Sequence, residues 1–565
     1  MPTQSFPWSK NYDPGVPQAV DVPDLPLFSM LDATVREFGE RPAFDFLGKK
    51  YSWAEIGDLV DRFACGLQKS GIGRGMKVGL FLPNSPIYLI AYYGILKAGA
   101  TIVNYNPLYA EHELAHQIED SETDVMVTFD MTMLYGKMAH MLQTTRLKKL
   151  VVARFADILP FPKKIVYSLF KRGDIAKIPE SSNILWFSDL TAQGTEIAPT
   201  PVNPKEDIAV LQYTGGTTGT PKGAMLTHRN LYANTLQSVA WFADVQRGQE
   251  KMLAVLPFFH VFAMTAIMNF SVAAGLEIIA LPRFRLGQTL WTIHAKKPNY
   301  FPAVPAIYGA INTYRWRDFF DLSALKFCIS GGAPLPVEVK KAFERNTGCI
   351  VVEGYGLTES SPVVCVNPVR GRNIAGSIGL PVSNTIVEII SREDHKTPMP
   401  VGERGELCIR GPQVMRGYWN KPDETSAVLK PTGEGDMRLH TGDVAVMDSD
   451  GYVYIVDRIK DMIITNGYNV YPRNVEEAIY MHPAVEECIV AGLPDAQRGE
   501  IVKAWIKRKP GQNLSAEQLK DFLEIRISRM EIPKLIEFRD KPLPKTMIGK
   551  LSRKDVVAEE KGKSS

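Results

Sequence analysis

The chain has few features that would tie it to an oxidising compartment or to a metal-bound framework. No CxxC pair occurs, and no histidines cluster at metal-ligand spacing in the sequence. The six cysteines are scattered: Cys65, Cys328, Cys349, Cys365, Cys408 and Cys488. This pattern predicts reduced thiols, and it argues against a disulfide scaffold or a zinc module.

Export signals and membrane-spanning runs are also missing. The first 18 residues are polar and interrupted by proline, so they lack the basic start and apolar centre of a signal peptide. The most apolar stretch, 87–103, contains Lys97 and falls short of the roughly 20 uninterrupted apolar residues of a spanning helix. A net charge of +3 is too small to indicate a nucleic-acid partner. We expect a cytoplasmic protein that is not integral to a membrane.

Strand-like and helical segments alternate through the early chain. With 565 residues, 45% of them hydrophobic, the chain is long enough for several domains. A buried strand is predicted at 77–83, then a helix at 84–99 with Asn84 or Ser85 as its cap, then a strand at 101–106. Repeated strand–helix–strand order predicts an α/β fold with a mostly parallel sheet covered on both faces.

The late chain has a different pattern. Two strand-like runs, 484–494 and 501–509, precede a helix predicted from about Ser515. This order predicts a small α+β domain joined to the rest near 457–461. We therefore divide the chain into an N-terminal domain, 1–457, and a C-terminal domain, 458–565.

The segment 146–172 is basic and rich in aromatic residues. It holds eight lysines and arginines against the single acid Asp157. Such a composition suits a patch that contacts an anionic membrane surface. A solvated basic insertion packed by its own aromatics explains the segment equally well.

The loop YTGGTTGTPKG, 213–223, follows the apolar run 208–211. Its glycines leave backbone N–H groups free to face an anion, its threonines add hydroxyl donors, and Lys222 adds a positive charge. Such a loop is suited to bind phosphate. The usual ATPase loop spacing is absent, because Pro221 stands where that pattern needs glycine. A flexible surface loop is the alternative.

Five motifs, in this order, resemble those of the adenylate-forming superfamily, which includes acyl-CoA synthetases, luciferases and peptide-synthetase domains. They are YTGGTTGTPKG, GYGLTES (354–360), TGD (441–443), DRIKDMI (457–463) and PKTMIGK (544–550). Two further stretches, 103–109 and 256–265, make the chain most similar to bacterial long-chain fatty acid–CoA ligases. The resemblance spans about residues 30 to 555.

The resemblance implies a large N-terminal domain with mostly parallel sheets and a β-rich subdomain, and a small mobile α+β C-terminal domain. It also implies that ATP converts a fatty acid to an acyl-adenylate, whose AMP is then displaced by the thiol of coenzyme A. ATP, coenzyme A and Mg²⁺ are the implied cofactors. An aryl-CoA ligase is the main alternative. A luciferase-like oxygenase, a peptide-synthetase-type domain and a non-catalytic acyl or nucleotide sensor are the others.

The resemblance also implies roles for particular residues. Lys222 grips the β- and γ-phosphates with the loop residues Thr214, Gly215, Gly216, Thr217, Thr218, Gly219 and Thr220. Glu359, with Thr214, holds Mg²⁺, and Lys550 reaches the carboxylate and α-phosphate oxygens. The nucleoside is bound by Asp443, Arg458, Tyr355, Gly331, Gly332, Gly356 and Thr358. His260 lies at the mouth of the acyl site.

Taken singly, these residues have simpler explanations. Glu359 could cap a helix, Asp443 could belong to a turn, Lys550 could be an ordinary solvated lysine, and His260 could be a core histidine. A sensor should have lost Lys550 or Glu359, and both are present.

Two-step chemistry in one site implies a swivel of the small domain about Lys460. The swivel carries Lys550 out and brings Gly467, Tyr468 and Asn469 toward the thiol channel.

Gly356 stands where acetate-specific relatives have tryptophan, which implies space for a longer acyl chain behind Tyr355. Met437 and Arg438 replace a glycine–tryptophan pair of long-chain ligases and leave the chain length open. Peripheral contact with the inner face of the membrane and a homodimer are further options.

Overall fold

A computed structural model of the chain describes residues 6–214, 221–433, 435–465, 468–495, 498–546 and 551–563. We call the part up to residue 457 the large lobe and the part from residue 458 the small lobe.

The α-helices are α1 (Ser29–Phe38), α2 (Trp53–Lys69), α3 (Pro86–Lys97), α4 (Glu111–Ser121), α5 (Thr132–Thr144), α6 (Lys163–Phe170), α7 (Phe187–Thr191), α8 (His228–Trp241), α9 (Val261–Ala263), α10 (Phe270–Ala274), α11 (Leu286–Lys296), α12 (Pro305–Asn312), α13 (Val337–Thr347), α14 (Pro422–Val428), α15 (Pro472–Tyr480), α16 (Ala516–Glu524) and α17 (Arg553–Lys563). A π-helix, Met264–Asn269, joins α9 to α10.

The strands are β1 (Pro42–Phe46), β2 (Lys49–Ser52), β3 (Lys77–Leu80), β4 (Thr101–Asn104), β5 (Val125–Phe129), β6 (Lys149–Ala153), β7 (Ile184–Trp186), β8 (Ile208–Thr214), β9 (Lys222–Thr227), β10 (Lys251–Ala254), β11 (Glu277–Ala280), β12 (Phe327–Ser330), β13 (Ile350–Gly356), β14 (Val363–Val366), β15 (Leu380–Pro381), β16 (Ile386–Ile390), β17 (Gly405–Arg410), β18 (Leu429–Pro431), β19 (Met437–Met447), β20 (Val453–Arg458), β21 (Ile463–Thr465), β22 (Tyr468–Val470), β23 (Val485–Asp495), β24 (Gly499–Arg508) and β25 (Leu535–Arg539).

The predicted parallel sheet is present, with strand order β7-β6-β5-β3-β4-β8-β9. Its neighbours run parallel except β8 and β9, which form an antiparallel pair. Helix α3 begins where the sequence predicts: the Ser85 hydroxyl accepts a hydrogen bond from the Tyr88 N–H at 3.2 Å, and Pro86 occupies the first turn. Strands β3 and β4 end two to three residues before their predicted ends.

Two further sheets of the large lobe have the orders β10-β11-β1-β2 and β12-β13-β14-β15. The antiparallel sheet β16-β17-β19-β18, with β20 paired to β19, is the β-rich subdomain that the resemblance implies. Strand β20 leads into the small lobe, so the subdomain adjoins the junction of the lobes.

The small lobe is the predicted α+β unit. Its sheet has the order β22-β21-β24-β23, with β25 beside β24. Ser515 caps α16: its hydroxyl accepts from the Gln518 N–H, and the Gln518 side chain accepts from the Ser515 N–H. Val475, Ile479, Leu519 and Leu523 form a buried cluster distinct from the core of the large lobe. The small lobe therefore has a core of its own.

The structure corrects the extent of the basic segment 146–172. Lys149–Ala153 form β6 inside the parallel sheet, and Ile158 and Leu159 are buried. Only the part around α6 leaves apolar side chains in solvent. Across the described ranges, no helix is both long and apolar enough to cross a membrane. The six cysteines are free, as the sequence predicts, and all six are buried.

Candidate active site

A cleft of about 2110 Å³ lies between the two lobes. On the large-lobe side, its walls come from the ends of β8, β9, β12 and β13 and from the middle of β19. On the small-lobe side, α15, β23 and the start of α17 line it. Several strands thus end at one place, which is where open α/β sheets bind ligands.

The base of the predicted phosphate loop opens into this cleft. Thr214 ends β8 and Lys222 begins β9, and the two residues pair directly across the antiparallel ladder. Both line the cleft, and the Lys222 ammonium lies 5.1 Å from the centroid of the Tyr418 ring. The predicted phosphate contacts of Gly215, Gly216, Thr217, Thr218, Gly219 and Thr220 lie outside the described residues.

Glu359 lies on the cleft wall in a 3₁₀ turn, Thr358–Ser360, directly after β13. The Tyr418 hydroxyl donates to Glu359 Oε1 at 2.7 Å, and burial, together with the Glu359 charge, raises the pKa of Tyr418. Sequence reasoning missed Tyr418. The one available signal was the stretch RGYWN (416–420), in which a glycine precedes two aromatic residues.

Asp443, Tyr355 and Arg458 form one hydrogen-bonded group. Asp443 on β19 faces Arg458 on β20, whose Nε lies 3.1 Å from Asp443 Oδ1. The Tyr355 hydroxyl donates to Asp443 Oδ2 at 2.5 Å. Burial raises the pKa of Tyr355, and the Asp443 carboxylate raises it further. Both carboxylate oxygens are held in place, so the aspartate is oriented before any ribose arrives.

Gly331 and Gly332 leave room beside this group. A side chain at Gly331 would begin 3.1 Å from the Phe262 ring, and Gly332 has a φ of +78°. Both glycines line the cleft together with Tyr355, Gly356 and Thr358. The structure thus brings the predicted nucleoside residues to one wall.

Gly356 is glycine for a reason that differs from our sequence interpretation. A Cβ at this position would collide with the carbonyl oxygen of Pro362, because β13 and β14 approach closely there. The backbone therefore fills the space in which a tryptophan side chain would begin. The residue alone does not show that an acyl chain passes behind Tyr355.

His260 lies on the cleft wall and is not a core histidine. Its Nδ1 accepts from the Phe262 N–H at 3.3 Å, so it caps α9. Beyond it, Phe262, Ala266 and Phe270 follow one another at helical spacing along the cleft. Trp241 and Phe242, at the end of α8, line the same region. These side chains give one end of the cleft an apolar wall.

On the small-lobe side, the residues that flank the predicted catalytic lysine line the cleft. Thr546 and Leu551 both belong to its wall, whereas Lys550 lies outside the described residues. Lys460 also lines the cleft, and burial and the charge of Arg458 lower its pKa.

The described residues of the predicted thiol channel lie outside the cleft. Tyr468 and Asn469 lie on β22, where both are exposed, and neither belongs to the described lining of the cleft. Gly467 lies outside the described residues.

The buried acid Glu353 lines the cleft, and its titration should make the stability of the protein depend on pH. It accepts from the Leu335 N–H at 3.1 Å, and burial raises its pKa from 4.5 to about 7. The folded state therefore holds a proton that the unfolded state loses between pH 4.5 and 7, so stability falls as the pH rises through this window. We expect a loss of up to about 3 kcal/mol.

Glu353→Gln should remove this dependence, because its amide is neutral at every pH in the window. Calorimetric unfolding of the large lobe at pH 5 and pH 8 measures it. Glu393→Gln, at an exposed position, is the matched control. An unchanged pH profile in Glu353→Gln would show that Glu353 does not titrate in this range.

Comparison with known proteins agrees with the geometry. The AMP-binding enzyme family model matches residues 31–419, and the AMP-binding enzyme C-terminal domain matches 474–550. The chain is 44% identical over 557 residues to a long-chain-fatty-acid–CoA ligase of Bacillus subtilis, covering 98% of each chain.

Solved structures with the same fold include ATP-bound MatB from Rhodopseudomonas palustris, with a TM-score of 0.82 and 26% identity over 95% of this chain and 99% of that one. An anthranilate CoA ligase, AuaEII, in complex with anthranoyl-AMP has a TM-score of 0.83 and 25% identity, covering 96% of this chain and 99% of that one. The chain therefore belongs to the AMP-binding enzyme family and is an acyl-CoA synthetase of the adenylate-forming superfamily.

Proposed function

We propose that the protein activates a medium- or long-chain fatty acid with ATP and transfers the acyl group to coenzyme A. The observation that carries this proposal is the arrangement of the cleft. The base of the phosphate loop, Glu359 and the Asp443 group lie along it, and an apolar wall with Ala266 at its centre lies at one end. The name of the Bacillus subtilis relative supports the same substrate class.

The first half-reaction forms a bond between a carboxylate oxygen and the α-phosphorus of ATP, and pyrophosphate leaves. In the second, the sulfur of coenzyme A bonds to the acyl carbon, the bond to AMP breaks, and the thiol proton passes to solvent. Lys222 and Thr214 would hold the outer phosphates, and Asp443 would hold the ribose. Lys550 would supply positive charge where the carboxylate meets the α-phosphate.

The residues near Glu359 fit Mg²⁺, which prefers hard oxygen donors. Glu359 offers a carboxylate whose orientation Tyr418 holds, and Thr214 offers a hydroxyl on the same cleft. Bound Mg²⁺ would neutralise phosphate charge there.

We further propose that residues 1–457 and 458–565 are separate domains and that the small one turns about Lys460. Both flanks of Lys550 line the cleft, whereas Tyr468 and Asn469 are exposed away from it. In this proposal the present orientation would serve the first half-reaction, and a rotation would bring β22 to the acyl-adenylate.

A pyrophosphate-release assay with acids from acetate to stearate, benzoates and cinnamates tests the proposal. We expect the highest kcat/KM with a fatty acid of medium or long chain, and AMP as the nucleotide product. A preference for benzoates or cinnamates would favour the aryl alternative, to which the fold similarity with the anthranilate ligase also points. Release of ADP, or no AMP with any acid, would overturn the proposal.

A membrane contact through α6 is the second part of the proposal. Phe161 and Phe170 are 81% and 80% exposed, and Ile165, Val166 and Leu169 are about half exposed. Lys163, Lys164 and Lys171 stand among them and suit anionic headgroups. We expect this contact at the inner face of the membrane, where ATP is supplied.

A homodimer is a separate proposal. Light scattering of the purified protein tests it.

Vesicles that contain phosphatidylglycerol should retain the protein at low salt and release it at high salt. The double variant Phe161→Asp/Phe170→Asp should lose at least about tenfold in partitioning, because two exposed rings leave the bilayer and two charges repel it. Trp316→Asp/Phe319→Asp, at another pair of exposed aromatics, is the matched control. Equal retention of both double variants would place the contact elsewhere.

A further inference from the structure

Three side chains with metal-binding chemistry, His395, Glu406 and His440, place their ligand atoms within 4.8 Å of one another in the β-rich subdomain, although they are distant in sequence. Cys408 lies beside His440. Glu406 and Cys408 lie on β17, and Cys408 pairs directly across the ladder with His440 on β19. His395 comes from the loop after β16, where its φ of +54° turns the chain. We call these residues the β17–β19 cluster.

The distances within the cluster are close to those of a metal site. His440 Nδ1 lies 2.8 Å from Glu406 Oε2 and 3.4 Å from Cys408 Sγ. His395 Nδ1 lies 3.5 Å from the same glutamate oxygen. Tetrahedral zinc with bonds of about 2.0–2.3 Å separates its ligand atoms by about 3.3–3.6 Å. Two of these three separations fit directly, and the third opens by about 0.5 Å when the metal replaces the hydrogen bond. The Cys408 side chain would turn toward the ion to complete the set.

We propose that His395, Glu406 and His440 bind one Zn²⁺ ion and that Cys408, 3.4 Å from His440 Nδ1, supplies the fourth ligand. Imidazole nitrogen, carboxylate oxygen and thiolate sulfur are the donors that zinc takes in proteins. A carboxylate and a thiolate together balance its charge, and the cysteine S–H proton passes to solvent as the zinc–sulfur bond forms.

Burial favours a specific site over loose surface binding. Glu406, Cys408 and His440 are buried, whereas the His395 side chain is 58% exposed. The ion would therefore enter past His395 and meet Glu406 and His440, which the β-sheet already holds in place, with Cys408 beside His440. Preformed donors lower the ordering cost of binding.

The site lies directly behind the turn that carries Asp443. The second oxygen of Glu406, Oε1, accepts from the Gly442 N–H at 3.0 Å, and the Thr441 hydroxyl donates to the Leu407 carbonyl at 2.7 Å. A metal on Glu406 would hold this turn more firmly. It would act as a structural ion behind the nucleotide site, and it is independent of which acid the enzyme activates.

Metal titration of the full chain, stripped of metal, tests the proposal. We expect one equivalent of Zn²⁺ to bind more tightly than about 1 µM against a chromophoric chelator and to raise Tm. Co²⁺ as a probe should give the visible bands of a tetrahedral ion and a thiolate charge-transfer band. Both readouts are independent of catalysis.

Variants with matched controls locate the site. His395→Asn should weaken Zn²⁺ binding at least tenfold, whereas His140→Asn should not, although His140 is a similarly exposed histidine 3.8 Å from Glu111. Cys408→Ser should remove the charge-transfer band, and Cys65→Ser, at another buried cysteine, should keep it. Because His395 is exposed, its variant should fold normally, as the unchanged Tm of the metal-free form would show.

The proposal fails if no zinc binds under these conditions. It also fails if His395→Asn and His140→Asn bind equally well, because the ion would then lie elsewhere. A failed acyl-CoA ligase assay would leave the zinc result untouched, so the two outcomes are distinguishable.

Discussion

Lys550→Ala is expected to slow pyrophosphate release from ATP and palmitate at least about 10³-fold, because one cation at the reacting oxygens is removed. Thioester formation from preformed palmitoyl-adenylate should stay within about threefold of the unmodified enzyme, since the bond to phosphorus is then already made. The nearest described residues on either side, Thr546 and Leu551, line the cleft. Single-turnover assays of each half-reaction separate the two effects.

Lys545→Ala is the matched control for this prediction. Lys545 also lines the cleft, but its ammonium is paired with Glu487 Oε1 at 2.5 Å. Its replacement should leave pyrophosphate release within about threefold, since that charge is already engaged outside the reaction. Equal loss of both half-reactions in Lys550→Ala would contradict the assigned role.

Ala266→Trp is expected to lower kcat/KM for palmitate about 100-fold or more, while butyrate is used within about threefold of the normal rate. Ala266 lies between Phe262 and Phe270 on the apolar wall, so an indole there would fill the space of the distal acyl chain. Excluding only four methylenes from burial costs about 3 kcal/mol, which corresponds to about 100-fold. A chain-length series of kcat/KM values measures the effect.

Ala273→Trp controls for the tolerance of the helix to a large residue. Ala273 lies in the same helical run but outside the described lining of the cleft. It should leave the chain-length profile unchanged. If Ala266→Trp lowers turnover of butyrate and palmitate alike, the acyl chain does not pass this wall. Gly356→Trp would be a poorer test, because its side chain would first collide with the backbone at Pro362.

Local patterns predicted much of the fold because they depend on neighbours in sequence. Ser85 and Pro86 mark the start of α3, and Ser515 with Gln518 marks the start of α16, since capping needs groups only three residues apart. The ends of strands β3 and β4 were less predictable, because pairing with other strands decides where a ladder stops.

Contacts between distant segments escaped the sequence analysis. Tyr418 reaches Glu359 from a separate loop, and no local pattern links them. The segment 146–172 looked like one basic patch. Lys149–Ala153 nevertheless form a strand of the parallel sheet, because β5 and β7 pair with it on either side.

The order of the motifs by itself determined the family and the chemistry, because phosphate, ribose and carboxylate each need particular side chains at short, fixed spacing. Only the tertiary structure decided why residue 356 is glycine, which part of the basic segment reaches solvent, and that His395, Glu406 and His440 meet. The sequence showed no metal-ligand spacing, because strand pairing and a loop, not proximity along the chain, bring His395, Glu406 and His440 together and put Cys408 beside His440.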